Sequence, residues 1–245
     1  MIPLRDSIPS RFPPLMVWGL IGFNVVVFLV ELSLPEKALQ TFIYLFGIVP
    51  ARYSHPGWAQ WVGFPLDDYW PFLTSMFLHG GWGHIIGNMW FLWLFGDNVE
   101  DRMGPLRFLL FYLLCGVIAG IVHLLVNPDS TLPTVGASGA IAGVLGAYYV
   151  MYPHARIIAM FPVLFYPLFF TLPAAVFLFL WFIMQFLSGA TAMLGQQQVG
   201  GVAWWAHIGG FLAGMLLHRL FYARERMRSL YKDQLDYRSA WDRRF

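Results

Sequence analysis

Six apolar stretches, at about residues 14–33, 82–98, 106–126, 138–152, 165–188 and 203–222, constrain this chain more than any other feature. A hydrocarbon core about 30 Å thick is crossed by roughly 20 residues of helix, and most of the stretches approach that length. Composition closes off the soluble alternative. Only 11% of the residues are charged, against about 25% in an ordinary soluble domain. Fifteen basic and 13 acidic side chains could not screen 23 Phe, 11 Trp and 11 Tyr from water. Disordered, collagen-like and disulfide-stapled classes fall away on the same grounds, and Cys115, the one cysteine, can form no intramolecular disulfide. The expected fold is an all-α polytopic membrane protein. No internal repeat or second domain is visible, so the chain divides into an N-terminal segment (1–13), a membrane domain (14–222) and a basic tail (223–245).

The first stretch follows a polar, Pro-rich leader (Ser7 to Pro14) and precedes no small-residue cleavage site, so it reads as a retained span. Between Leu34 and Phe77 the chain is amphipathic and rich in Trp and Pro. That pattern predicts a large loop lying in or on the membrane interface. Orientation follows from Lys and Arg. With the N-terminus inside, the inner segments hold thirteen of them (Arg5, Arg11, Arg102, Arg107, Arg156 and eight from Arg219 to Arg244) and the outer loops hold two, Lys37 and Arg52. Both termini are therefore expected in the cytoplasm of a cell whose inner membrane the protein crosses. The basic tail reads as an anchor on anionic lipid, and no nucleic-acid partner is called for.

Polar side chains within the spans are few, and each is costly enough to suggest a function. His84 and Asn88 lie four apart on one face of the second stretch. Ser138 opens the fourth, in Gly136-Ala137-Ser138-Gly139, and His207 lies one turn into the sixth. Helices two, four and six all run from outside to inside, so His84, Ser138 and His207 share one outer depth. The fourth stretch, 15 residues, spans only about 22 Å, so its serine end is recessed below the surface. A recessed hydroxyl with a histidine at its depth suits a serine nucleophile and its base; a helix cap or packing residue is the plainer alternative for Ser138.

Glycines point the same way. Gly139 and Gly143 flank the face of Ser138, and Gly210 and Gly214 follow His207 at three and seven residues. Small faces let helices approach closely, so helices four and six are expected to pack there. The amide of Ser138 at a helix N-terminus, with His84 and Asn88, could hold an oxyanion. No carboxylate lies on the outer halves of helices two, four or six, so a hydrolase of this kind would use a Ser-His dyad. His79 and His84, five apart without a completing carboxylate or thiol, make a poor metal set; no metal or cofactor is expected.

Three strings carry a resemblance: His79-Gly-Gly-Trp-Gly-His84-Ile-Ile-Gly-Asn88, Gly136-Ala137-Ser138-Gly139 and Ala206-His207-Ile-Gly-Gly210-Phe-Leu-Ala-Gly214, in that order and on alternate helices. Over about residues 14–222 the chain resembles the rhomboid intramembrane serine proteases. The resemblance implies six transmembrane helices of the rhomboid type, with a large membrane-associated loop between helices 1 and 2 and an active site open to the outside. Ser138 would be the nucleophile and His207 the base, with His84 and Asn88 at the oxyanion, and His79, Gly136, Gly139, Gly210 and Gly214 in support. It also implies a lateral gate from the fifth helix (about 165–188), a cap from the loop at 189–202, and transmembrane proteins as substrates, cut near their outer ends at small residues. Two positions depart from the family pattern. Trp70-Pro71 stands where many members have Trp-Arg, so the first loop must be bonded differently. Ala142 stands where many carry Tyr or Phe packed on the histidine, and Trp204 or Trp205 would replace that wall. An inactive, rhomboid-like quality-control scaffold is the alternative, and a transporter is disfavoured because no inverted repeat is visible and no buried carboxylate is expected.

Overall fold

A computed structural model describes residues 1–163, 166–194 and 203–223. In chain order the elements are β1 (Ile2–Asp6), α1 (Leu15–Ser33), α2 (Glu36–Phe46), α3 (Pro50–Ser54), α4 (Pro56–Val62), α5 (Pro71–Thr74), α6 (Trp82–Met103), α7 (Pro105–Val126), α8 (Ser138–Met151), β2 (Arg156–Val163), β3 (Tyr166–Pro173), α9 (Ala174–Leu194) and α10 (Trp204–Leu217). Three of these helices are long and apolar enough to cross a bilayer, in the stretches Leu15–Ser33, Pro105–Val126 and Ala174–Ala192. Most of the long helices coincide with the expected apolar stretches to within a few residues.

The fifth stretch departs from its expectation. Residues 166–173 form a strand, and α9 begins only at Ala174. Pro167 and Pro173 explain the change, because a helix interior tolerates neither the missing N–H nor the ring. In the β2–β3 register Pro162 faces Pro167, so the two residues that cannot donate sit opposite each other. The N-terminal segment also gains structure: β1 pairs antiparallel with β2, giving a three-stranded sheet in the order β1-β2-β3. This sheet is tied to the helices. The indole of Trp90 donates to the carbonyl of Pro3 (2.6 Å), and the Tyr148 hydroxyl (2.5 Å) and the Asn98 amide (3.1 Å) both donate to Asp6 Oδ2.

The helices α8 and α10 form the centre. A methyl group on Gly210 would run into the carbonyl oxygen of Gly139, and one on Gly214 into that of Gly143. Gly146 is pressed equally hard against the backbone of Phe211, and Gly143 against Cys115 of α7. Close approach of this kind is what small residues permit between membrane helices. Around it, Phe95, Phe108, Phe111, Tyr112, Leu145 and Tyr148 are fully buried. Peripheral helices present their other faces outward: Trp18, Phe23, Val26, Leu29 and Leu32 of α1 are each more than half exposed, as a lipid-facing helix requires.

A group of charges at the C-terminal end of α6 ties neighbouring elements together. The N-terminus of α1 lacks a side-chain cap of its own. The buried carboxylate of Glu100 supplies it from α6, accepting the amides of Met16 (3.0 Å) and Val17 (2.9 Å), while Asp101 accepts those of Arg11 and Phe12. Arg102 donates to the Tyr152 hydroxyl at 3.0 Å.

Candidate active site

Ser138 is the first residue of α8, with Ala137 in the capping position and no side-chain cap bond. Its hydroxyl is engaged elsewhere: Ser138 Oγ lies 2.8 Å from Nε2 of His207. The close packing of α8 on α10 makes this contact, since the glycine faces let His207, buried in the first turn of α10, reach the end of α8. The expected juxtaposition of Ser138 and His207 is present, and the capping alternative for the serine is not.

The backbone entering Ser138 is held on every side. Ile48 and Thr134 exchange two backbone hydrogen bonds (3.0 and 2.7 Å), and the Gly136 amide donates to the Ser75 carbonyl at 2.8 Å. His123 of α7 fixes the same loop through Thr134 Oγ1, 2.9 Å from its Nε2. Irregular backbone among the spans is tolerated when its polar groups are satisfied by protein in this way. Gly136 itself has φ +125°, a conformation side chains rarely adopt, and a Cβ there would sit 2.6 Å from His84 Nε2 and 3.6 Å from Asn88 Nδ2. No other residue fits.

That clearance leaves His84 and Asn88 converging on the start of α8. The Gly80 amide donates to His84 Nδ1 at 3.3 Å, so the ring proton belongs on Nε2, the nitrogen nearest Gly136. Asn88 is buried, and its Nδ2 has no partner among the described residues. Two donors thus lie beside Gly136, two residues before Ser138. His79 plays another part. Its ring is buried, stacks edge-on against His84 with centroids 5.1 Å apart, and forms no hydrogen bond among the described residues. Its backbone amide is held by Glu31. His79 packs behind His84 and does not reach the serine hydroxyl.

Two neighbours of His207 were not anticipated. Gln185 of α9, also buried, places Oε1 2.7 Å from His207 Nδ1. Trp181, one turn earlier on α9, lies 5.9 Å from the imidazole at 34°, and Trp204 stands edge-on at 6.2 Å. The wall that Ala142 leaves missing is therefore built by Trp181 and Trp204; Trp205 packs on Phe186 instead. Beside Ser138 a cavity of about 30 Å³ is lined by Gly116, Ala119, Gly120, Thr134 and Ala206 among others, enough for a water or a methyl-sized group. The buried Arg52 guanidinium pairs with Asp68 at 2.8 Å and also reaches the Pro65 carbonyl. Residues 195–202, most of the expected cap, and the tail from 224 lie outside the described residues.

A family model, the rhomboid domain, matches residues 66–224. Among curated proteins the chain is 42% identical over 80 residues to the rhomboid protease GluP of Bacillus subtilis (strain 168), covering 33% of this chain and 15% of that one. It is 31% identical over 127 residues to the chloroplastic rhomboid-like protein 11 of Arabidopsis thaliana, covering 52% of this chain and 39% of that one. With the mitochondrial rhomboid protein 1 of Saccharomyces cerevisiae it shares 30% identity over 158 residues, covering 62% and 41%. The matches thus span less than half the length of each of these relatives.

Proposed function

The chain belongs to the rhomboid family, and on that premise we propose that this multi-pass membrane protein is an intramembrane serine endopeptidase. Its substrates are other transmembrane proteins, cut within or beside a membrane helix. One observation carries the reading: Ser138 Oγ and His207 Nε2 lie 2.8 Å apart, facing two donors, His84 and Asn88, that are left open on the far side of Gly136.

The chemistry follows from those atoms. Ser138 Oγ attacks the scissile carbonyl carbon while its proton passes to His207 Nε2. The carbonyl oxygen becomes an oxyanion, stabilised by His84 Nε2–H, Asn88 Nδ2–H and the Ser138 amide at the positive end of α8. His207 then returns the proton to the leaving nitrogen, and the C–N bond breaks. A water, deprotonated by the same imidazole, attacks the acyl ester and restores Ser138. The cavity beside the serine, walled by glycine and alanine, suits a small residue at the cleavage point.

In this reading α1, α6, α7, α8, α9 and α10 are the six spans, residues 14–222 form the membrane domain, and the long segment of α2–α5 lies at the outer interface. Residues 1–13 and the basic tail 223–245 lie in the cytoplasm, the latter against anionic lipid. The fifth helix α9 is the gate. No metal takes part: EDTA or phenanthroline should leave cleavage unchanged, and a loss restored by zinc would overturn that point. The decisive experiment replaces Ser138 by Ala. Cleavage of a transmembrane reporter should vanish, and so should labelling by a fluorophosphonate, while the thermal midpoint in detergent stays close to wild type. Retained cleavage ends the reading.

A further inference from the structure

Gln185 is a polar side chain on a gate helix that is otherwise apolar along its inward face, and it is buried where an unpaired amide would be costly. It spends that burial on one contact, Oε1 to His207 Nδ1 at 2.7 Å, while the other nitrogen of the same ring meets Ser138 Oγ at 2.8 Å. An amide oxygen can only accept a hydrogen bond. Nδ1 must therefore carry the ring proton, which leaves the lone pair of Nε2 facing the serine. That is the tautomer a general base needs, and the residue that fixes it also fixes the ring against rotation. We infer that Gln185 is a positioning residue for the reaction, the third member of a Ser138–His207–Gln185 chain, in which a neutral amide on the gate helix does what a carboxylate does in a soluble serine protease. The inference rests on the reading of Ser138 and His207 as nucleophile and base.

A neutral third member has a physical reason. A carboxylate at this depth would have to be ionised to orient the ring, and an ionised group among membrane helices is expensive. An amide holds the tautomer without that charge, at the cost of stabilising the imidazolium less. Because Gln185 lies on α9 and His207 on α10, the contact also couples the base to the gate. Withdrawal of α9 from α10 would break the 2.7 Å bond and release the ring.

Three substitutions test this with purified enzyme and one transmembrane substrate. Gln185→Met keeps volume and flexibility but removes the acceptor; kcat should fall about 10–100-fold, the range that loss of a histidine-orienting partner costs in metal sites, with KM little changed. Gln185→Glu keeps an acceptor and adds charge. Its activity should recover relative to Gln185→Met, and the acid limb of kcat/KM against pH should move upward by about one unit or more, since a carboxylate beside an imidazole favours the charged ring. Gln185→Asn, one methylene short of the ring, should resemble Met. The other titratable groups near the ring, His84 on α6 and His123 on α7, are unchanged in every variant. If Gln185→Met cleaves at the wild-type rate, or Gln185→Glu leaves the acid limb in place, Gln185 only packs and the inference fails. Fluorophosphonate labelling of the wild type separates the two ideas. Labelling at Ser138 with indifferent Gln185 variants sinks this inference alone, whereas no labelling of Ser138 sinks the serine-protease reading beneath it.

Discussion

At the scale of single residues, the site is a set of donors and acceptors whose roles are fixed by what each second atom bonds to. Gly80 occupies His84 Nδ1 and so frees Nε2–H, and Asn88 Nδ2 is left unpaired beside it. Removing one oxyanion donor costs about 10²–10³ in kcat where no substitute exists. Here the Ser138 amide and the dipole of α8 remain. Asn88→Ala should retain measurable activity, and His84→Ala should fall further because a larger group leaves the cavity. The loss should appear in kcat more than in KM, since the charge exists only in the transition state. Single-turnover rates on one substrate check this; wild-type rates in both variants would make His84 and Asn88 packing residues. Ser138 and His207 were legible because each sits in the first turn of a helix of known direction. Gln185 was not, because a search for a carboxylate on helices two, four and six looks past an amide on the fifth. A glutamine in an otherwise apolar span was the signal available.

Elements carry the geometry through backbone approach and through a few cross-element bonds. Gly210 and Gly19 are both helical glycines, yet a methyl on Gly210 meets the Gly139 carbonyl, and one on Gly19 meets nothing within 4 Å. Gly210→Ala should therefore force α8 and α10 apart, costing about 1–3 kcal/mol or more and most of the activity, whereas Gly19→Ala should leave both intact. Thermal midpoints in detergent decide it, and equal midpoints would show that the helices repack freely. The N-terminal strand is latched differently. Burial pushes the Asp6 carboxyl up to about 6, against the pull of its bond from Tyr148. A carboxyl raised in the folded state contributes its stability below its ordinary value near 4 and loses it as pH rises through about 6. The wild type should accordingly lose on the order of 2 kcal/mol relative to Asp6→Asn between pH 4 and 7. Parallel curves for the two proteins would dissociate Asp6 from the pH dependence. The strand itself escaped the sequence because five residues before a Pro-rich leader show neither period; only pairing with β2 gives them one.

The whole molecule is set by where it can tolerate polarity. Buried charges are each held by a partner, Glu31 by the His79 amide and Glu100 by the start of α1, and the site sits at the start of two 14-residue helices that each span about 21 Å. On the proposed orientation a cysteine placed at Ser130 should react with a membrane-impermeant maleimide from the outside, and one at His154 should not; the reverse pattern would invert the topology. The sequence by itself determined the membrane class and the approximate helices, because hydrophobic length is a local quantity that the bilayer reads directly. Tertiary structure alone decided the rest. The pairing of strand 2–6 with 156–163, the Trp181 contact with His207, the Glu100 cap on α1 and the Gln185 bond to His207 all join residues distant in sequence. These contacts exist only once the elements that carry them have packed together.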